Sequence, residues 1–435
     1  MEYYNLVSLA GIFILSGFAW LCSSEKKVIN WRVVFWGIGL QLVFAFFIFI
    51  VPVGSKIFLF LNDIVVKVLE SATEGTKFVF GRLALPPGTV NEDGETSLGY
   101  FLVFQGLPTI IFFAALVSAL YHIRIMPFFI RGFSYVFTRL MRISGAEALS
   151  ASSNIFVGVE SALVVKPHIK DMTRSELTTI LAAGMGTIAS TVLALYVFIL
   201  REQLPTIAGH LISATVLSAP AAVVMAKLIM PEKETPKTLG INVKPHYERE
   251  DNIILAIING AKSGLQLLLS IVTLLIAFLG ILALLDLIFG WFGGFINNWF
   301  GMNVTWSFQA VLGYVFYPLA VVMGIPPADA LETAKIVGER LVVTELVSYK
   351  HLAELMTGGG LIYPRSAIIA SYALCGFAHI ASLAIFIGGL GALAPERLKD
   401  ISRLGFRALL AATLACLMTG AVAGVFYTSG SILLR

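Results

Sequence analysis

Eight stretches of this 435-residue chain run for about twenty residues or more with few charges: residues 4–22, 31–53, 100–122, 175–200, 206–230, 260–289, 366–390 and 406–429. Roughly 20 apolar residues in a helix cross the hydrocarbon core of a bilayer. In lipid every backbone N–H and C=O must find its partner within the chain, so such segments are confined to helices. The expected fold class is an all-α polytopic membrane protein with eight transmembrane helices. Composition agrees, at 58% hydrophobic against 13% charged, with 32 Phe and 39 Gly. The first run follows Glu2 rather than a basic segment and lacks a small-residue cleavage site, so it reads as a retained helix and not a signal peptide.

Basic residues orient the spans. Lys26, Lys27 and Arg32 follow the first, Arg124, Arg131, Arg139 and Arg142 the third, Lys233, Lys237 and Lys244 the fifth, and Arg397, Lys399, Arg403 and Arg407 the seventh. These are alternate loops, so all fall on one side. By the positive-inside rule that side is cytoplasmic, which puts both termini outside together with the acidic loop at Glu92, Asp93 and Glu95. The formal net charge of +4 is small and dispersed, which argues against nucleic acid as a partner. Cys22, Cys375 and Cys416 show no metal-binding or redox spacing and read as buried hydrophobes.

Four further segments do not fit simple spans. Residues 56–81 mix Phe, Leu and Val with Asp63, Lys67, Glu70 and Lys77, the pattern of a helix lying at the membrane interface, and 125–142 combine aromatics with arginines in the same way. Segments 146–167 and 308–349 are apolar but interrupted, and each carries one carboxylate, Glu160 and Glu345. A charged side chain at mid-bilayer costs about 2.5 to 3.5 kcal/mol, so a pair costs roughly 5 to 7 unless protein, water or ligand shields it. Both segments are expected to be re-entrant hairpins, tolerated only where broken backbone is buried or lines a cavity. Each is followed by a long helix, after Lys170 and after Arg365, a weak internal repeat of the kind that builds inverted-repeat transport cores. The divisions drawn are 1–99, 100–230, 231–258 and 259–435.

At this level several functions stay open. Glu160 and Glu345 either form a ligand site or pair with Arg340, Lys166 or Lys350 as structural ions. The chain has no HExxH or GxSxG, so no catalytic residue is assigned, and Gly358–Gly360 and Gly388–Gly389 match no phosphate-binding fingerprint. A passive channel also accommodates re-entrant hairpins.

Four motifs narrow the choice: LPTIIFF at 107–113, SNIFVG at 153–158, LVVKP at 163–167 and ALCGFAHIASLAIFIGGLGALAPER at 373–397. Together they resemble the concentrative nucleoside transporter family of sodium-coupled symporters. The resemblance implies eight spans, two opposed re-entrant hairpins, an interfacial helix, a homotrimer and a plasma-membrane location (in bacteria the inner membrane), with sodium as coupling ion and no other cofactor. It also implies alternating access, in which a hairpin-and-helix unit moves against a fixed frame.

Site residues follow the same resemblance. Where the family reads G-Q-[ST]-E-A-P-L, this chain reads Gly158, Val159, Glu160, Ser161, Ala162, Leu163, with Val159 in place of a base-binding amide and Glu160 kept. The family's [NT]-E-[FL]-V-[AS]-Y appears at 344–349, which makes Glu345 the acceptor for ribose hydroxyls. Phe377 and Ser382 match the seventh-helix motif G-F-A-N-x-x-S, but His379 replaces its Asn. Val192 completes the expected substrate set. The sodium ligands implied are Asn154, the Val157 carbonyl, Thr187 and the Ile188 carbonyl, all oxygen donors as a hard cation requires. Because imidazole titrates near neutral pH, His379 with Glu160 or Glu345 also raises proton coupling or an altered specificity as the alternative.

Overall fold

Apolar runs of 19 residues at the start of the chain fold as α1 (Tyr3–Leu21) and α2 (Trp31–Phe49), the second begun by the Asn30 side chain accepting from the Val33 N–H. The computed structural model describes residues 3–91, 94–246, 250–303 and 306–428, leaving Glu92 and Asp93 of the acidic loop outside the described residues. There follow α3 (Pro52–Phe80), α4 (Leu102–Gln105), α5 (Thr109–His122), α6 (Ile125–Met141), α7 (Gly145–Ser153), a 3-10 helix (Val159–Val165), α8 (Lys166–Ile169), α9 (Arg174–Gly186), α10 (Ser190–Leu200) and α11 (Ile207–Ile229). The remainder is α12 (Ile253–Phe300), α13 (Phe308–Val322), α14 (Pro327–Glu339), α15 (Glu345–Thr357), α16 (Pro364–Ala373), α17 (Ile380–Leu393) and α18 (Leu398–Phe426). Among the described residues there is no β-strand, only two isolated bridges. The fold is all-helical, as its hydropathy requires.

Seven segments are long and apolar enough to cross a membrane, by length and composition, among the described residues. The expected span at 366–390 is not one of them, because it is broken between Ala373 and Ile380. Gly376 sits in that gap at φ 144°, a conformation that L side chains rarely adopt. The span at 175–200 is interrupted as well, where Thr187 turns extended at the end of α9. The two breaks touch: a Cβ on Gly376 would come within 2.9 Å of the Gly186 carbonyl carbon. Glu345 opens α15 just after the turn from α14, so the hairpin around that turn is α14 and α15, ending at Thr357 past the boundary expected at 349, and α13, inside the expected 308–349, is a separate helix packed on α14.

Burial separates the helices by position. In α11 and α18, 89% of the most apolar window is buried inside the chain, against 6% in α12. The first two therefore form the centre, packed on each other and on α9, while α12 lies at the edge along α5. That edge contact is close because Gly260 and Gly264 are four apart; a Cβ on Gly260 would meet the Ala114 carbonyl oxygen at 2.7 Å, and one on Gly264 the Ile111 Cα at 2.8 Å. The order helix, turn, short helix, broken helix, long helix occurs twice, as α7 to α11 and α14 to α18.

The basic loops gather at one end. Lys233 pairs with Glu25, Lys237 with Asp171 at 2.9 Å, Arg174 with Asp400 at 3.2 Å, and Arg397 donates to the Lys170 and Met172 carbonyls, both at 2.8 Å. Arg32 reaches the Leu140 carbonyl at the end of α6. Lys233 and Lys237 hold the Glu25 and Asp171 carboxyls below the usual carboxylate range, through a hydrogen bond and charge attraction in each case. One expectation fails at this end: Cys22 is exposed, since it follows the last turn of α1 where the helix leaves the bundle, whereas Cys375 and Cys416 are buried.

Candidate functional site

Glu345 is the first residue of α15, with its carboxylate at the helix N-terminus, where backbone N–H groups favour negative charge. The Tyr196 hydroxyl, from α10, donates to Oε1 at 2.5 Å, and the Tyr196 and Tyr349 rings lie against each other, tilted by 32° with centroids 4.6 Å apart. Oε2 lies 3.0 Å from His379 Nε2, a pairing distance, but makes no aligned hydrogen bond. That oxygen keeps acceptor capacity. Two of the residues considered as structural partners lie elsewhere: Lys350 reaches Glu354 at 3.6 Å, and Arg340 bonds the Ala373 carbonyl.

His379 caps α17. Its Nδ1 accepts from the Ser382 N–H at 3.1 Å, and its own N–H donates to the Ser382 hydroxyl at 3.3 Å. A ring nitrogen that accepts carries no proton, so the imidazole proton sits on Nε2 and faces Glu345. The replacement of Asn by His thus keeps the helix start and adds a proton donor beside the carboxylate.

A cavity with about 780 Å³ of empty space, its mouth included, is walled by Val192, Glu345, Phe377, His379, Ser382 and Leu195. Five of the seven residues expected at a substrate site are therefore brought together. The other two, Val159 and Glu160, follow Gly158, which also lines the cavity, but their side chains lie outside the described residues. Thr344 lines it too, with a buried hydroxyl that has no partner. The far wall is α12, through Leu267, Ser270 and Leu274. A second cavity begins at Gly158 and Thr191, shared with the first, and runs past Tyr121, Asn259 and Glu250.

The expected ion ligands are all buried. Asn154 ends α7, its Oδ1 accepting from the Ser161 hydroxyl at 2.9 Å, and Thr187 ends α9, its hydroxyl donating to the Ala183 carbonyl at 2.9 Å. Val157 and Ile188 lie in the adjoining turn and break, which the Ser190 hydroxyl ties together by donating to the Phe156 carbonyl. Buried hydroxyls of Ser150, Ser152 and Ser153 on α7 have no partner.

Tyr196 and Thr344 escaped the sequence reading. Thr344 stands inside a motif already in hand, and Tyr196 is the one hydroxyl among the apolar residues 192–200, a signal that was available.

Comparison with known proteins gives the same answer along the whole chain. Residues 10–83 and 210–424 match the families described as Na+ dependent nucleoside transporter N-terminus and C-terminus, and residues 103–203 match one described as nucleoside recognition. The nucleoside permease NupC of Helicobacter pylori is 35% identical, covering 98% of this chain and 99% of its own. Solute carrier family 28 member 3 of mouse is 36% identical across 97% of this chain, which spans 59% of that longer protein. Among solved structures, CNTnw in an inward-facing substrate-bound state superimposes with a TM-score of 0.84 at 32% identity over 97% of this chain and 98% of its own. A variant of CNTnw in an outward-facing state gives 0.85 at 31% identity, covering 98% of each chain. These relatives are transporters and not enzymes, and the chain belongs to the sodium-dependent nucleoside transporter family.

Proposed function

We propose that this protein imports nucleosides across the bacterial inner membrane by sodium symport through alternating access. The observation that carries the reading is Glu345: a buried carboxylate at a helix N-terminus, fixed through one oxygen by Tyr196, with the other oxygen free to accept in a cavity. A ribose offers vicinal hydroxyls, and a hydroxyl donating to a carboxylate gains about twice the strength of a neutral hydrogen bond. His379 Nε2 donates to a sugar oxygen from the same side, while Phe377 and Val192 cover the apolar faces. Val159 cannot hydrogen-bond a base edge, so affinity is expected to rest on the sugar and base discrimination to be loose.

The donor set for sodium is Asn154 Oδ1, the Thr187 hydroxyl and the carbonyls of Val157 and Ile188. Ser161 uses one lone pair of Asn154, and Thr187 spends its proton on Ala183, so both oxygens keep a lone pair. Hard oxygen donors without a carboxylate suit a monovalent cation. Ion and substrate each raise the other's affinity by the same free energy when they order the same turn. The two cavities that meet at Gly158 and Thr191 supply a route from the site toward the end that carries the basic loops. That end is cytoplasmic under the positive-inside rule, which leaves both termini outside. The segment at 146–167 and the pair α14 and α15, residues 327–357, act as re-entrant hairpins in eight spans. The frame of α3, α5 and α12 stays fixed, in a homotrimer built on the apolar outer face of α12.

The test is uptake into proteoliposomes with a panel of labelled nucleosides and nucleobases, sodium and pH gradients being imposed separately. Sodium-driven accumulation of nucleosides is the expected result. Glu345→Gln loses nucleoside binding with assembly intact, and normal transport by that variant removes the assignment. One observation favours a second reading, proton coupling: His379 Nε2 stands 3.0 Å from Glu345 Oε2, an ionisable ring within pairing distance of a carboxylate. Uptake that persists without sodium and collapses with a protonophore selects it. His379→Asn, which keeps a good helix cap, would then flatten the pH profile.

A further inference from the structure

The turn after α7 and the turn after α14 are the same turn. In the first, Asn154 N–H bonds the Ser150 carbonyl at 3.0 Å, Ile155 bonds Ser152 at 3.4 Å, and Phe156 and Val157 both bond Ser153, at 3.0 and 2.9 Å. In the second, Arg340 bonds Ile336 at 3.4 Å, Leu341 bonds Gly338 at 3.1 Å, and Val342 and Val343 both bond Glu339, at 3.0 and 2.9 Å. Asn154 and Arg340 are the residues that end the two helices, both in right-handed helical conformation. Each turn is then tied to the first residue of a half-helix beyond a break: Ser190 of α10 donates to the Phe156 carbonyl, and Ile380 N–H of α17 donates to the Leu341 carbonyl at 3.0 Å. Asn154 in one half and Arg340 in the other therefore occupy equivalent places.

Arg340 is 0% exposed. Its Nη1 donates to the carbonyl of Ala373, the last residue of α16, at 2.5 Å, the Cys416 thiol lies beside the guanidinium, and Nε and Nη2 have no oxygen acceptor and no carboxylate in pairing range among the described residues. Burying an unpaired charge costs several kcal/mol, so something there must favour a cation. The surroundings supply it. Two helices, α14 and α16, end at this point, and a helix C-terminus carries about half a negative charge.

We propose that Arg340 is a tethered cation. In the second half of the molecule its guanidinium stands where the first half takes its exchangeable coupling ion, neutralising the same arrangement of turn and helix break without ever leaving. Each protomer then has one exchangeable cation site, at Asn154, although the fold contains the backbone for two. The inference rests on the reading of Asn154 as an ion ligand, and its test separates the two.

Thermal unfolding of the purified protein in choline and in rising sodium reads occupancy without transport, because an ion that binds only the folded state raises the unfolding temperature by mass action. The wild type is expected to show a single-site sodium dependence, Asn154→Leu none, and Arg340→Lys the wild-type curve. Arg340→Gln is expected to unfold earlier in choline and to recover in sodium with a steeper, two-site dependence. Asn154→Leu with Arg340→Gln together is expected to regain a single-site dependence. The proposal is overturned if Arg340→Gln loses the same number of degrees with and without sodium, or if the double variant shows no sodium response. A wild type without sodium response strikes the Asn154 assignment alone, and a new sodium response in Arg340→Gln still supports the tethered cation.

Discussion

Tyr196 donates to one oxygen of Glu345, and that bond sets the rotation of the carboxylate before any ligand arrives. Tyr196→Phe keeps the ring contact with Tyr349 and removes the bond, worth roughly 1.5 to 3 kcal/mol for a charged acceptor. Nucleoside binding measured by calorimetry is expected to weaken about ten-fold or more, and the unfolding temperature to fall, because Glu345 Oε1 is left buried without its donor. Gly376→Ala tests the other demand at this scale. Its φ of 144° strains any side chain, and the new Cβ would lie 2.7 Å from Cys416 Sγ and 2.9 Å from the Gly186 backbone. Strain and overpacking together are expected to cost roughly 2 to 5 kcal/mol, read as a lower unfolding temperature in detergent. Glu345, His379 and Ser382 were legible because their motif letters are adjacent in the chain. Tyr196 was not, because it meets Glu345 from 149 residues away and only the folded chain pairs them.

Among elements, the least expected feature is the charged base shared by α7, α9 and α11. Lys227 pairs with Glu147 at 2.5 Å and Glu232 at 3.4 Å and donates to Ser175 at 2.9 Å, while Glu147 and Glu176 each close a capping box at the start of α7 and α9. Glu147 is 1% exposed, so removing Lys227 strands a buried charge. Lys227→Met is expected to destabilise the protein by roughly 3 to 5 kcal/mol. Adding Glu147→Gln is expected to restore most of that loss, the two changes being measured as a double-mutant cycle on unfolding temperature. Apolar length made nearly every long helix legible. The breaks at Thr187 and Gly376 were invisible to it, because a window of twenty residues averages over an interruption of three to six and sees one helix. Capping chemistry decides those positions, as His379 and Ser382 do for α17.

Across the whole molecule, orientation rests on the end where the basic loops converge. Cys22 is the one exposed cysteine among the described residues and sits at that end, four residues before Lys26. A membrane-impermeant maleimide is expected to label Cys22 in inside-out vesicles and not in intact spheroplasts, with Cys375 and Cys416 unreactive in both. Labelling of intact spheroplasts reverses the assigned topology. The same end accounts for what a linear reading could do: alternate loops were enough to put the positive charges together, though not to show Lys233 and Lys237 bridging to Glu25 and Asp171.

The 48-residue α12 is longer than any bilayer needs, about 72 Å at 1.5 Å per residue, and it walls both cavities. Asn259 and Ser263 face the second cavity and Ser270 the first, offsets of four and seven residues that fall on one stripe of the helix. Ser270 gives its proton to the Gln266 carbonyl and keeps its lone pairs for a passing donor. Under the import proposed above, a solute rich in hydroxyls would descend this stripe as on a ladder, exchanging one rung for the next within a turn or two. A greasy solute of equal size would find no handholds there, so selection would continue along the way out as well as where the cargo first comes to rest.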